Sequence, residues 1–281
     1  MSIKAHILII TKININNRII FLIMSHSNES NIHDFDFSLI CEYFSSVSRQ
    51  GPGSDDATLR ALSFLPPLGR ECKIADMGCG TGSSTMVLSR ETAAEIVGLD
   101  LFPDFLTKLS EELRRRQIAH RVTIIEGDMG EPPFAPNTLD VVWCEGAIYN
   151  IGFERGLTLW RELLKADGYV AVSEACWLTD ERPQEIAQFW QEAYPAITTI
   201  EENISKLRGC GYRLLAAFVL PKDCWTTHFY EPAREAQHLF LDRHHGDPFA
   251  EELVRNQRRE AELYERYHDY YGYVFFVAQK I

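Results

Sequence analysis

Segments typical of strands and of helices alternate along the chain from Lys73 to Glu174. The strand candidates are short and apolar, and a segment such as Pro103–Gln117, with apolar side chains every three or four residues, follows as a helix. This alternation is typical of a parallel sheet with helices on both faces, so we predict an α/β fold. The predicted strands are Lys73–Met77, Ala94–Asp100, Val122–Glu126, Leu139–Cys144, Tyr169–Glu174, Tyr212–Leu220 and Tyr273–Gln279.

The charge balance and the cysteines restrict the class of partner. Lys and Arg number 28 against 40 Asp and Glu, which gives a net charge of −12. Nucleic-acid binders usually carry a basic surface, so we expect no nucleic-acid partner. The seven cysteines include no C-x-x-C pair, so we expect no metal site and a reducing, cytoplasmic location.

The first residues differ from the rest of the chain. Met1–Ile23 is rich in Ile, Asn and Lys, and its polar residues interrupt the apolar run too early for a membrane helix or a signal peptide. We therefore expect residues 1–24 to be a non-native or disordered leader, with translation starting at Met24, and no membrane anchor. Residues 25–281 are predicted to form a single domain. The intact mass of the native protein tests the start site.

The segment with the most specific chemistry is Ile74–Gly82 (IADMGCGTG), in which a predicted strand runs through a glycine turn into a helix. Glycines at such a junction allow a ligand to approach the backbone closely, and the first N–H groups of the helix favour anionic groups. A dinucleotide-binding turn would place a third glycine where this chain has Ser83. Asp76 would also repel a pyrophosphate, and suits a cationic group instead.

Acidic residues end two further strands. Asp100 ends the second strand, 24 residues after Asp76, where a carboxylate can accept hydrogen bonds from both ribose hydroxyls. Asp128 follows the third strand and can accept from an exocyclic amine, with Met129 packing on a base. An Asp at that place also favours a plain turn. Because the carboxyl ends of parallel strands share one edge, these acids are predicted to face one crevice.

These motifs together resemble the class I S-adenosylmethionine-dependent methyltransferases. The resemblance rests on D-x-G-x-G-x-G (Asp76–Gly82), G-L-D (Gly98–Asp100), E-G-D (Glu126–Asp128) and L-D-V-V (Leu139–Val142), and covers about residues 35–281. Within the class, the chain is similar to small-molecule enzymes such as the ubiquinone and menaquinone C-methylases, and to a group of uncharacterised bacterial methyltransferases.

The resemblance implies a Rossmann-like sheet of seven strands, mostly parallel with an antiparallel last strand, and S-adenosylmethionine as the cofactor, leaving as S-adenosylhomocysteine. It also implies a small-molecule acceptor. The residues implied or proposed to bind the cofactor are Gln50, Asp76, Gly78, Cys79, Gly80, Thr81, Gly82, Asp100, Leu101, Asp128, Met129 and Glu145. For Gln50, a role in the turn alone is an open alternative.

Methyl transfer from a sulfonium requires mainly that the nucleophile be held in line, and a base only if the acceptor is protonated. The candidates for catalysis are Glu145, Tyr149 and His228; Glu145 is equally well interpreted as an ion-pair partner. Residues 35–65 and the helical insert 221–272 are predicted to form an aromatic substrate cap. The insert is also a candidate homodimer surface.

Two other functions remain open from the residues. A nicotinamide-dependent oxidoreductase would use the same kind of fold, although Ser83 and Asp76 disfavour it. A non-catalytic module that binds S-adenosylmethionine as a signal would carry the same crevice. Methyl turnover separates this module from an enzyme.

Overall fold

A computed structural model of the chain describes residues 12–15, 18–21 and 37–281. The predicted leader, residues 1–24, lies mostly outside these residues, apart from the antiparallel backbone pairing of β1 with β2. The strands are β1 Lys12–Ile15, β2 Arg18–Phe21, β3 Lys73–Met77, β4 Glu95–Asp100, β5 Val122–Glu126, β6 Leu139–Cys144, β7 Leu164–Trp177, β8 Thr198–Thr199, β9 Tyr212–Val219 and β10 Tyr271–Lys280. The helices are α1 Ser38–Ser45, α2 Asp55–Leu62, α3 Ser83–Glu91, α4 Pro103–Arg115, α5 Phe153–Leu163, α6 Gln184–Ala193, α7 Ile200–Gly209, α8 Glu231–Arg243 and α9 Pro248–Tyr267.

The central sheet has the strand order β5-β4-β3-β6-β7-β10-β9, with the two-residue β8 paired to β7. Neighbouring strands are parallel except at β10, which runs antiparallel to both β7 and β9. The predicted Rossmann-like α/β fold with an antiparallel last strand is therefore confirmed. The short β8 was not predicted, because two residues carry no periodic signal.

Both faces of the sheet are covered by helices and buried. Ile74 and Phe275 belong to the hydrophobic core on one face, while their chain neighbours Ala75 and Phe276 belong to the core on the other. Successive side chains of a strand point to opposite faces, so a strand buried on both faces is apolar throughout. This is why the central strands read as continuous apolar runs.

The parallel strands bring the predicted site residues to one edge. Asp76 at the end of β3 lies in register with Gly98 of β4 and Trp143 of β6. The loops that follow β3, β4, β5 and β6 therefore leave the sheet side by side, at the edge where open α/β sheets bind ligands.

A third hydrophobic cluster lies outside the sheet, formed by α1, α8 and α9. Tyr43 and Phe44 of α1 pack with Phe240 of α8 and Leu253 of α9, all of them buried. Phe105 of α4 joins the same cluster. The segment before the sheet and the insert after β9 thus pack on each other, although about 190 residues separate them in the sequence.

The boundaries of several elements differ from the predicted ones. β7 begins at Leu164 rather than Tyr169, since the predicted turn around Asp167 is an irregularity within the strand. The insert opens with a 3-10 turn at Lys222–Cys224 and continues with a π-helical turn at Thr226–Tyr230, which its sequence does not signal. Of the described residues, no helix is long and apolar enough to span a membrane.

Trp225 anchors the insert to the sheet, and its replacement tests this attachment. Its ring stacks on Tyr264 of α9 at 4.3 Å and on Tyr273 of β10 at 5.3 Å between ring centroids. Because large-to-small changes remove packing and leave a cavity, we expect Trp225→Leu to lower the free energy of unfolding by about 2 kcal/mol in urea denaturation. The matched control Leu239→Ala, on the exposed side of α8, is expected to change it by less than about 0.5 kcal/mol. Equal effects would contradict the attachment.

Candidate cofactor and acceptor site

A cavity opens at the carboxyl ends of β3, β4, β5 and β6 and extends under α9. Its wall includes ten of the residues predicted to act in binding or catalysis: Gln50, Gly78, Cys79, Gly80, Asp100, Leu101, Asp128, Met129, Glu145 and Tyr149. Four other predicted residues lie outside this wall: Asp76, Thr81, Gly82 and His228. The sheet edge therefore collects most, but not all, of the predicted site.

The glycine turn forms the floor of the cavity. Gly78 has φ +69°, and a Cβ there would lie 2.6 Å from the Cβ of Ala147. The backbone N–H groups of Gly78 and Cys79 donate to the carbonyl of Leu99 at 2.8 and 3.0 Å. The turn is thus held against β4, and the missing side chain at Gly78 lets Ala147 and Met129 approach the backbone of the turn.

Asp100 joins the glycine turn to the next loop. One carboxylate oxygen accepts from the backbone N–H of Gly80 at 2.8 Å, and the other accepts from that of Phe102 at 3.0 Å. The side chain is buried, and burial raises its pKa while these N–H groups oppose the rise. A third N–H group, that of Leu101, also donates to the carboxylate. A carboxylate has about four acceptor positions, so Asp100 can still accept from a ligand at the cavity wall.

Asp128 and Met129 form the adjoining part of the wall. Asp128 accepts from the backbone N–H of Gly130 at 2.7 Å, so it does shape the turn after β5. Among the described residues, its second carboxylate oxygen makes no hydrogen bond, and the side chain reaches the cavity wall. Met129 lies against the glycine turn, 3.7 Å from the position of a Cβ on Gly78. The pair can therefore contact a planar ring and its amino group.

Gln50 connects the segment after α1 to the glycine turn. Its amide nitrogen donates to Thr81 Oγ1 at 3.1 Å and to the carbonyl of Phe44 at 3.0 Å. Its amide oxygen accepts from the backbone N–H of Thr81 at 3.1 Å. Gln50 therefore does more than form a turn: it closes the wall above Gly80. Thr81 holds the Gln50 side chain in place through these hydrogen bonds and does not itself line the cavity.

Asp76 is placed behind the glycine turn. It is fully buried, and one carboxylate oxygen accepts from Ser84 at 2.8 Å and from Thr85 at 2.6 Å, in the first turn of α3. Burial raises its pKa to about 7, against these two hydrogen bonds. The side chain thus fixes the start of α3 rather than forming part of the cavity surface. Gly82 ends the turn with φ +96° and contacts Leu109.

Glu145 lies in the wall but is held by several neighbours. One oxygen accepts from Thr58 Oγ1 at 2.6 Å and from Trp143 Nε1 at 2.9 Å, and the other lies 3.7 Å from Arg49. These contacts match the ion-pair interpretation. Through these contacts Glu145 joins α2 to the end of β6.

The other two candidates for catalysis differ in position. Tyr149 lies in the wall, and burial raises its pKa above the ordinary value, so its hydroxyl stays protonated near neutral pH. His228 is exposed on the π-helical turn and does not reach the cavity. Among the described residues, no group of three or more His, Cys, Asp or Glu side chains is arranged to hold a metal ion.

The match to a known family agrees with this geometry. Residues 74–168, which carry the glycine turn, Asp100 and Asp128, match the family described as a methyltransferase domain. This part of the chain is a class I S-adenosylmethionine-dependent methyltransferase domain. The matched range ends within β7, so α1, α2 and the insert of this methyltransferase lie outside it.

Two solved structures and one relative extend the likeness beyond that range. The phosphoethanolamine N-methyltransferase of Plasmodium falciparum is 21% identical over 232 residues, 81% of each chain. A methyltransferase from Geobacter sulfurreducens, solved with S-adenosylhomocysteine, has a TM-score of 0.75 at 18% identity, over 86% of this chain and 98% of its own. The [4+2]-cyclase SpnF has a TM-score of 0.68 at 21% identity, over 87% and 93%. These structures share the fold of the methyltransferase.

The wall residues fit S-adenosylmethionine. Gly78 and Gly80 line the cavity without side chains, so a ligand can approach the backbone of the turn. Asp100 offers two oriented acceptors, which matches the paired hydroxyls of a ribose. Asp128 and Met129 suit an adenine ring and its amino group.

Part of the wall was not predicted from the sequence. Gln257 and Glu260 of α9 and Tyr273 of β10 line the same cavity as the glycine turn. Trp225 was noted only as one aromatic of the insert. Gln257 and Glu260 lie on the buried face of α9 between Val254 and Leu263, so the apolar periodicity of the helix is the signal that could have found them.

Proposed function

We propose that this methyltransferase binds S-adenosylmethionine on the glycine turn and transfers its methyl group to a small-molecule acceptor held under α9. The observation that carries the cofactor site is the pair of oriented acceptors on Asp100. When bound, the cofactor supplies an electrophilic methyl group on a sulfonium. The protein's contribution is to hold the acceptor close and in line.

We assign a role in binding to each part of the wall. Asp100 accepts from the ribose hydroxyls, Asp128 accepts from the adenine amino group, and Gln50 keeps the wall closed above Gly80. Asp76 supports the turn from behind. The aromatic side chains of the insert exclude water from the acceptor.

The remaining features complete the proposal. Residues 35–65 and 221–272 form the substrate cap, because both contribute to the cluster of α1, α8 and α9 and to the cavity wall. A net charge of −12 favours a small molecule over a nucleic acid. The cytoplasm is the proposed location, and the insert is the proposed homodimer surface.

Thermal unfolding with two ligands tests the cofactor. S-Adenosylhomocysteine at a hundredfold excess over its dissociation constant is expected to stabilise the protein by about 2.7 kcal/mol. NADH is the control, and it is expected to leave the melting temperature unchanged because Ser83 replaces the third glycine of a dinucleotide turn. A shift with NADH alone would favour the oxidoreductase instead.

A further inference from the structure

The part of the cavity under α9 presents two hydrogen-bond acceptors. Gln257 and Glu260 lie one turn apart on the same helix face, and both are part of the wall. Their exposed fractions are 4% and 6%. Burying these two polar side chains costs free energy unless hydrogen-bond donors reach their oxygens.

Neither side chain has its full set of donors. Glu260 accepts from Tyr230 Oη at 3.0 Å, and no Lys or Arg of the described chain forms an ion pair with it. Burial raises its pKa to about 7. Gln257 Oε1 is buried and has no hydrogen-bond partner among the described residues. A ligand with several N–H donors would satisfy both.

Aromatic rings line the same cavity as these acceptors. Trp225 and Tyr273 stack at 5.3 Å between centroids, and both line the cavity together with Trp190 and Phe229. Trp225 already stacks on both Tyr264 and Tyr273, so this aromatic group offers apolar surface for the body of a ligand. The position of a Cβ on Gly146, which follows β6, is 3.9 Å from Tyr273. The aromatic group therefore adjoins the edge of the sheet that carries the cofactor site.

The charged side chains of the cavity wall are mostly acidic. Four acidic side chains line the described cavity: Asp100, Asp128, Glu145 and Glu260. Arg49 is the one cationic side chain of that wall, and it lies 3.7 Å from Glu145 and 3.2 Å from Asp55. An anionic acceptor would find no unpaired cation there, whereas a cationic acceptor would be attracted.

We infer that the acceptor is a small amine, which binds as its ammonium form to Glu260 and Gln257 and packs its apolar body against the aromatic side chains of the wall. This inference depends on the proposed function, because it assigns the acceptor of that same site. An ammonium has no lone pair, so one proton must leave before methylation. The Glu260 carboxylate takes up that proton, which leaves a neutral carboxyl group and a neutral amine.

Matched ligands test the charge preference by calorimetry near neutral pH, with S-adenosylhomocysteine bound. The probes are benzylamine, phenethylamine and tryptamine, each compared with its alcohol (benzyl alcohol, phenethyl alcohol, tryptophol) and its carboxylate (benzoate, phenylacetate, indoleacetate). At least one amine is expected to bind about tenfold more tightly than its alcohol, since charge-assisted hydrogen bonds are stronger than neutral ones. The carboxylates are expected not to bind.

Two variants locate the effect. Glu260→Gln keeps an acceptor for Tyr230 and is expected to remove the tenfold preference for the amine while leaving alcohol binding unchanged. Gln257→Met is expected to weaken amine binding severalfold. Glu262→Gln is the matched control, because it makes the same charge change on the exposed face of α9.

The outcomes separate this inference from the proposed function. If S-adenosylhomocysteine binds but the alcohols or carboxylates bind as well as the amines, or no amine binds, the inference is overturned and the cofactor site stands. An amine preference that persists in Glu260→Gln also overturns it. If S-adenosylhomocysteine does not bind, the proposed function itself fails.

Discussion

Replacing Asp100 with Ala is expected to lower the affinity for S-adenosylhomocysteine by at least about a hundredfold. Two hydrogen bonds to a carboxylate are lost, each worth about 1.5–3 kcal/mol. The glycine turn also loses the acceptor of the Gly80 N–H group. Isothermal titration calorimetry measures the change directly.

Two matched variants show whether the carboxylate is responsible. Asp104→Ala removes the same charge from an exposed position in the first turn of α4 and is expected to leave the affinity unchanged. Asp100→Asn keeps the shape and one acceptor oxygen, so an intermediate loss is expected. Similar affinities for the wild type and Asp100→Ala would contradict the assignment.

The second large effect concerns Glu174, a buried carboxyl group of β7 that the cavity does not use. Its exposed fraction is 1%, and burial raises its pKa to about 8. The backbone N–H of Ala175, the side chain of Tyr194 and the charge of Lys206 lower the pKa by less than burial raises it. In the unfolded chain it ionises near its ordinary pKa of 4.5. The folded protein thus keeps a proton that the unfolded chain loses between these values. Its contribution to stability is full below pH 4.5 and is lost as the pH rises through about 8.

The variant Glu174→Gln removes this dependence. The free energy of unfolding of the variant, minus that of the wild type, is expected to rise by about 4 kcal/mol between pH 5 and 8. This figure follows from about 1.4 kcal/mol for each pH unit in which only the folded wild type holds the proton. Asp76 and Glu260, whose pKa values burial also raises, continue to titrate in both proteins. Urea denaturation across this range measures the difference. Glu235→Gln, on the exposed face of α8, is the control, and parallel curves for wild type and Glu174→Gln would contradict the prediction.

The sequence allowed the sheet and the positions of the wall acids to be predicted. Glycines at a strand–helix junction and an acid at the end of the next strand depend on local geometry alone. The parallel register then places Asp100 and Asp128 at the same edge as Gly78. Each step needs only the alternation of strands and helices, which is a strong signal.

Other positions depend on packing between distant segments. Asp76 was expected in the site from its place before the glycines, yet Ser84 and Thr85 donate to one of its carboxylate oxygens and the side chain does not line the cavity. His228 is exposed because a π-helical turn sets its direction. Glu260 reaches the cavity only because α9 packs on α1 and α8. The apolar periodicity of α9 marks the face that is buried, but it does not show which distant segment packs on that face.

A fold shared with a cyclase does not by itself establish methyl transfer, so the position of the cofactor is the central point. The most direct measurement is a crystal structure of the protein with S-adenosylhomocysteine. We expect the ribose hydroxyls on Asp100, the adenine beside Asp128 and Met129, and the sulfur facing the aromatic side chains under α9. A ligand bound elsewhere, or bound with its ribose away from Asp100, would contradict the proposed site.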